Sequence, residues 1–215
     1  MPILLYCLSQ PATLPDDTIA GVAGSPVLCA ELSDLCVFTS SSEDSSLWLK
    51  RELRQSGIEF HRVLAAVFSS DAIIPFRFPT IFASHDELAR HIAEHSLEYK
   101  ASLERFAGLV QMEIRIGRRA EVTTVKSGAA YLKGKQTAIN ATEQFSDDLK
   151  RALSSTSLEW RQRTTRDGIR QFLLVERSRI PEFEAAARNV PVPDGMSVRV
   201  SGPWPVSEFL EQSRR

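Results

Sequence analysis

From Val110 onward the spacing of apolar residues changes period several times, and the order of those changes leaves few folds open. Val110, Met112, Ile114 and Ile116 alternate with Gln111, Glu113 and Arg115, the period-two pattern of a half-buried strand. A basic loop and the segment Ser127-Gly128-Ala129-Ala130-Tyr131-Leu132 follow, and helical spacing sets in over about residues 136–153. Strands are expected over 158–164 and 169–176, separated by Asp167-Gly168, a dipeptide suited to a tight hairpin. A helix over about 180–189 and a strand over 196–201 complete the order βαββαβ. Right-handed crossovers then place both helices on one face of a four-stranded antiparallel sheet, a ferredoxin-like arrangement.

The first half reads differently. Residues 3–8, Pro26 to Leu32 and Cys36 to Ser40 are expected as strands, between loops marked by Pro11, Pro15, Asp16, Asp17, Gly21 and Gly24. The polar run Ser40 to Ser46 ends that sheet region. From Leu49, the residues Leu53, Phe60, Val63, Leu64 and Val67 recur at helical spacing, with a mild interruption at Gly57 and an end by Ser69-Ser70-Asp71. Ser84-x-x-Glu87 is a capping box, and Leu88, Ile92, Tyr99, Leu103 and Phe106 mark one face of a long helix closed by Gly108. That helix is expected to join the halves. A chain of 215 residues can bury one large core or two small ones, and the expectation is two α+β domains. Residues 1–108 would form a small sheet with long helices, and 109–215 the ferredoxin-like domain, with its C-terminal tail packing back.

Twenty-six basic and 27 acidic side chains leave a formal net charge of -1, which gives no global field toward nucleic acid or anionic lipid. Partners would be recognised locally. The start Met-Pro-Ile-Leu-Leu-Tyr-Cys-Leu lacks a basic n-region, and no apolar stretch approaches the roughly 18 residues of a bilayer span, so a soluble, cytoplasmic protein is expected. Cys7, Cys29 and Cys36 are odd in number, lie in apolar strand-like contexts and lack the paired spacing of a zinc site, which reads as reduced core residues.

Two strings set proline beside bulky aromatics: Ile73-Ile74-Pro75-Phe76-Arg77-Phe78-Pro79-Thr80-Ile81-Phe82 and Ser201-Gly202-Pro203-Trp204-Pro205. Proline fixes φ and biases the residue before it to extended geometry, so each string is expected as a rigid corner presenting large apolar side chains. Phe76, Phe78, Phe82, Trp204 and Phe209 are the candidates for a partner-binding surface, with Arg77 placed to stack on an aromatic or hold a carboxylate. The competing use is structural: the aromatics would fill the joint between domains, and Arg77 would form an internal salt bridge.

His61-Arg62-Val63-Leu64, Ile74-Pro75-Phe76-Arg77-Phe78, the segment Ser127 to Leu132, and Gly202-Pro203-Trp204-Pro205 with Phe209 occur in an order and at separations that resemble the gas vesicle protein F/L family. The resemblance runs across residues 3–210. It implies a non-enzymatic accessory protein of gas vesicle assembly that binds the small amphipathic shell subunit and other accessory proteins, with no cofactor, and two domains of which the second is a modified ferredoxin-like fold. The chain departs from the family pattern at Pro79, where glycine is usual, and at Val206-Ser207, where proline-tyrosine is usual.

The alternative is a ferredoxin-like small-molecule-binding protein or enzyme using an interdomain cleft, with His61, Arg77, His91 and His95 as its chemistry. In His91-Ile92-Ala93-Glu94-His95 two imidazoles stand four residues apart on one helix face, with His85 upstream. The glutamate is not where a zincin places its base and no third ligand follows at a recognisable distance, so a solvated helix face is expected. His61 has no nucleophile motif beside it and reads as a partly buried, hydrogen-bonded side chain. Glycines are too scattered for a phosphate loop, and the basic stretch Arg115, Arg118, Arg119, Lys126, Lys133 and Lys135 lacks the aromatic pattern of an RNA-binding sheet. A solvated loop or a surface for an acidic partner remains for it.

Overall fold

The computed structural model describes residues 1–11, 19–43, 48, 53–69, 72–118, 128–165 and 168–210. Some residues named above lie outside them: Pro15, Asp16 and Asp17, Asp44 to Ser46, Leu49, Ser70 and Asp71, Arg119, Lys126, Ser127 and Asp167. The protein has a mixed α/β fold with antiparallel sheets and divides into two compact units. The first holds Met1–Gly108 together with the chain from Trp204 onward, and the second is Leu109–Pro203.

In the first unit, β1 (Ile3–Ser9), β2 (Leu28–Leu32), β3 (Leu35–Ser41) and β4 (Ile73–Pro75) form a sheet in the order β2-β3-β1-β4, with β5 (Ile81–Phe82) also paired to β1. The helices are α1 (Leu53–Phe68), which runs through Gly57 without a break, and α2 (His85–Arg105). β1 is the central strand, and all seven of its residues are buried. Its pairing with β3 shifts between Leu5 and Cys7, leaving Tyr6 as the extra residue of a bulge. A one-residue shift changes which face later side chains meet. Ile3, Leu5 and Leu8 therefore share one face with Leu35 and Val37, where they pack on Leu88, Ile92, Tyr99 and Leu103 of α2. Tyr6 serves α1 instead, its ring stacked 4.9 Å from that of Phe60.

The Tyr6 hydroxyl accepts from the Val22 N–H at 2.9 Å and lies 3.1 Å from the Ser40 hydroxyl, which donates to the Pro26 carbonyl at 2.8 Å. Burial raises the phenol pKa, so it remains a donor. A Cβ on Gly21 would stand 2.3 Å from that hydroxyl, so no larger residue fits there. Ser84 caps α2 as expected: its Oγ accepts from the Glu87 N–H at 3.2 Å, while the Glu87 carboxylate accepts from the Ala83 N–H at 2.7 Å.

β4 and β5 correct one expectation. The first proline string is a corner only over Phe76–Thr80; its two ends are edge strands hydrogen-bonded to β1, by the register Cys7 with Pro75 and Ile3 with Phe82. Proline is tolerated at a sheet edge because its missing donor can face away from the ladder. The Phe76 N–H donates to the Tyr6 carbonyl and the Leu5 N–H to the Thr80 carbonyl, both at 2.9 Å, so the corner itself is fastened to β1. The Phe78–Pro79 and Gly202–Pro203 peptide bonds are cis.

The second unit follows β6 (Leu109–Arg118), α3 (Gly128–Leu153), β7 (Glu159–Thr165), β8 (Gly168–Glu176), α4 (Ile180–Asn189) and β9 (Met196–Trp204, whose last residue belongs to the first unit). The strands lie in the order β7-β8-β6-β9. α3 starts earlier than periodicity indicated, and Gly128–Leu132 is its first stretch. Val110, Met112, Ile114 and Ile116 pair directly with Val175, Leu173, Gln171 and Ile169, so these side chains share one sheet face. On that face the Gln171 amide donates to the Ser146 carbonyl of α3 at 3.1 Å, which places α3 over it. Phe145, Leu149 and Leu153 of α3 and Phe183 of α4 are buried, and α4 packs against α3 and β8.

Candidate functional site

The six partner-binding candidates separate once folded. Phe76 and Phe82 pack against the core on the α2 side of the first unit: Phe76 lies edge-on to Tyr99 at 6.1 Å, and Phe82 is 5.2 Å from the His91 ring. Phe209 has no exposed surface and is a core residue, which removes it from any contact surface. Phe78 and Trp204 each touch α1, Phe78 at the buried Phe60 and Trp204 at the exposed His61. Phe78 lies 5.4 Å from Phe60, half-buried, and Trp204 is half-buried with its ring 5.3 Å from that of His61. Arg77 is exposed beside Phe78, and among the described residues its side chain is in no ion pair, in place of the expected salt bridge.

His61 is likewise exposed rather than partly buried and hydrogen-bonded, because it falls on the outer face of α1 while Phe60, Val63 and Leu64 take the inner one. Ile58, His61, Arg62 and Ala65 form an exposed stripe there at helical spacing, with Ile58 42% exposed, and Trp204 leans on its middle.

The histidine pair of α2 is not the solvated face expected. His91 and His95 are half-buried in a ladder of rings, 4.7 Å apart, with Tyr99 stacked 5.8 Å beyond His95. Their ring nitrogens are engaged: His95 Nδ1 donates to the His91 carbonyl at 3.0 Å, and His91 Nε2 is 3.0 Å from the Tyr99 hydroxyl. Burial, and then the neighbouring His95, hold the His91 pKa below the usual imidazole value, while burial pushes the Tyr99 phenol up to about 12. Among the described residues no group of three or more His, Cys, Asp or Glu side chains is arranged to hold a metal ion. His61 on α1 and this pair on α2 lie on opposite faces of the sheet, so the imidazoles do not converge on one reaction centre. The three cysteines are free thiols, Cys7 and Cys36 buried and Cys29 half-buried. Burial and the adjacent Cys36 push the Cys29 thiol up to about 12, which keeps it protonated and unreactive.

The second unit carries an arginine row that sequence reading missed. Arg115 pairs with Arg170 across β6 and β8, and Arg170 with Arg163 across β8 and β7, so the three side chains stand side by side on the sheet face away from α3. The buried Glu113 carboxylate accepts from Arg115 Nε at 2.6 Å and from Arg170 Nε at 2.7 Å. Arg163 and Arg170 both lie over the Phe172 ring, at 5.8 and 5.2 Å from its centre. Burial alone would raise the Glu113 pKa, but the hydrogen bonds and charges of Arg170 and Arg115 outweigh it and hold the carboxyl below its ordinary value. The stabilisation is therefore complete above the ordinary carboxyl pKa of about 4.5 and is lost as pH falls through the lower folded value. Glu113→Gln is expected to cost about 1–2 kcal/mol at neutral pH, a range discounted for the exposed guanidiniums. Urea midpoints at pH 7 and pH 3 check it: the gap between variant and wild type should close at the lower pH.

The whole chain, and not a motif within it, decides the relationship. The family model described as "Gas vesicle synthesis protein GvpL/GvpF" matches residues 2–211. The chain belongs to the GvpL/GvpF family. Its fold is similar to the crystal structure of the gas vesicle protein GvpF from Anabaena sp. PCC7120, at 12% identity and a TM-score of 0.81 over 99% of each chain. It is also similar to that of GvpF from Microcystis aeruginosa, at 14% identity and a TM-score of 0.77, covering 98% of this chain and 99% of that one. No curated protein matches it in sequence. At such identities the GvpF structures speak for a common fold, while the family match carries the gas vesicle-related role. Among the described residues no helix is long and apolar enough to cross a membrane.

Proposed function

We propose that the protein is a non-enzymatic accessory factor of gas vesicle assembly, vesicle-associated in the cytoplasm, that binds the amphipathic shell subunit and other accessory proteins. The observation that carries this reading is the family match over residues 2–211. A subunit destined for a gas-facing wall exposes apolar surface before assembly, and a carrier must offer a complementary patch to keep it from associating at random. The surface at α1 has the composition such a carrier needs, with Trp204 on His61, Phe78 on Phe60, the exposed Ile58 and the adjacent Arg77. Tryptophan and arginine are the residue types that most often carry binding energy at interfaces.

The two compact units are read as two domains, the second ferredoxin-like. Its strand order β7-β8-β6-β9, with α3 and α4 packed on each other and both touching β8, supports that assignment.

Co-purification with the shell subunit tests the proposal. Trp204→Ala and Phe78→Ala are each expected to weaken the complex about tenfold or more, the loss typical of a hot-spot side chain, with the circular dichroism spectrum unchanged. Phe82→Ala, on the α2 side, is the control and should leave binding intact. Equal losses for all three, or none, would refute the α1 surface as the docking site.

A further inference from the structure

We propose that the second unit holds an anion-binding site for an acidic, extended segment of a partner protein, distinct from the aromatic surface of the first unit. A concavity of about 520 Å³ is lined by Arg115, Arg170 and Arg199 together with Gly117, Gly168 and Ser197. The volume is within the roughly 300–1,000 Å³ of ligand-binding clefts. Like charges placed directly opposite one another in a sheet are destabilising, yet β6, β8 and β7 set Arg115, Arg170 and Arg163 in a single row.

Glu113 prepares the site. Its buried carboxylate engages Arg115 and Arg170 through Nε, which fixes both guanidiniums while 55% of the Arg115 side chain and 39% of Arg170 stay exposed. A guanidinium held this way loses little further freedom when it binds a carboxylate, and its planar fork matches that group in a bidentate pair.

The sheet edge favours a peptide over a free inorganic anion. Among the described residues β9 is an edge strand, paired only with β6, and its Ser197, Val198 and Arg199 line the concavity. An extended segment can add along such an edge by main-chain hydrogen bonds while its carboxylates reach the arginines.

Fluorescence anisotropy of a labelled glutamate-rich peptide, titrated with the full-length protein, tests the site. The wild type is expected to bind with an affinity that falls as salt is raised, and Arg115→Gln with Arg199→Gln to lose at least about tenfold, equivalent to one charge-assisted hydrogen bond. Arg199→Gln alone, which leaves Glu113 both of its arginines, should unfold with the wild type and still bind the peptide more weakly, so that lost binding is not lost folding. Trp204→Ala should bind the peptide normally, which separates this site from the aromatic one. Peptide binding unchanged in the double variant would overturn the proposal. So would tighter binding of a single-stranded oligonucleotide through the same arginines, or full displacement of the peptide by an equal concentration of inorganic phosphate.

Discussion

Phe209→Ala is expected to destabilise the first unit by about 3–5 kcal/mol, the usual cost of emptying a fully buried phenylalanine site. The ring has no exposed surface, and it stands in the short segment after Trp204 in which Val206 is also buried and Leu210 packs against the core of β1, β3 and α2. The segment has little regular structure of its own; the Phe209 N–H donates to the Val206 carbonyl at 3.1 Å and the Leu210 N–H to the same oxygen at 3.3 Å. Its attachment therefore depends on burial, and removing the largest buried group should free it. Unfolding in urea followed by tryptophan fluorescence is the measurement, since Trp48 and Trp204 both report on the first unit. A loss under about 1 kcal/mol would mean that the site collapses around the smaller side chain, contrary to the expected cavity.

Gly168→Ala should be comparably damaging to the second unit. Gly168 opens β8 with φ of +135°, a conformation that side chains resist, and it pairs with Gly117 on β6 and Thr165 on β7. An added Cβ would stand 2.0 Å from the Ile116 carbonyl oxygen, far inside contact distance, and the atom in the way is backbone and cannot rotate aside. Strained φ and overpacking each cost about 1–3 kcal/mol, so a combined loss of about 3–5 kcal/mol is expected. Gly134 is the matched control. It is exposed in α3 with nothing within 4 Å of an added Cβ, and alanine there should stabilise by about 0.5–1 kcal/mol. Denaturation midpoints of the two variants should move in opposite directions; a shared direction would contradict the geometry at Gly168.

The elements of the second unit were legible because period and turn chemistry agree there. Val110 to Ile116 alternate, β7 ends shortly before Gly168 and β8 begins at it, and α4 begins at Ile180 with Pro181 in its first turn. The start of α3 was not legible, since Gly128-Ala129-Ala130 carries no apolar periodicity. β4 and β5 were hidden for another reason: at three and two residues, interrupted by Pro75 and Pro79, they are too short to show a period, and their hydrogen bonds come from β1.

Of the candidate sites, the aromatic residues were visible as types but not as neighbours. Nothing in the spacing of Phe76, Phe78 and Phe82 tells that the first and third meet α2 while the second meets α1; that follows from how the corner wraps β1. The arginine row depends on register across three strands, which one-dimensional reading cannot supply. Its one linear trace was Arg161 and Arg163 at period two, both on the face opposite the helices.

The division of the chain also bears on the order of synthesis. Every residue of the second unit leaves the ribosome before Val206 and Phe209 do, although those two belong to the core that β1 begins. The later-encoded sheet can therefore mature first, while the earlier one waits with its hydrophobic interior unsealed until translation has passed Phe209.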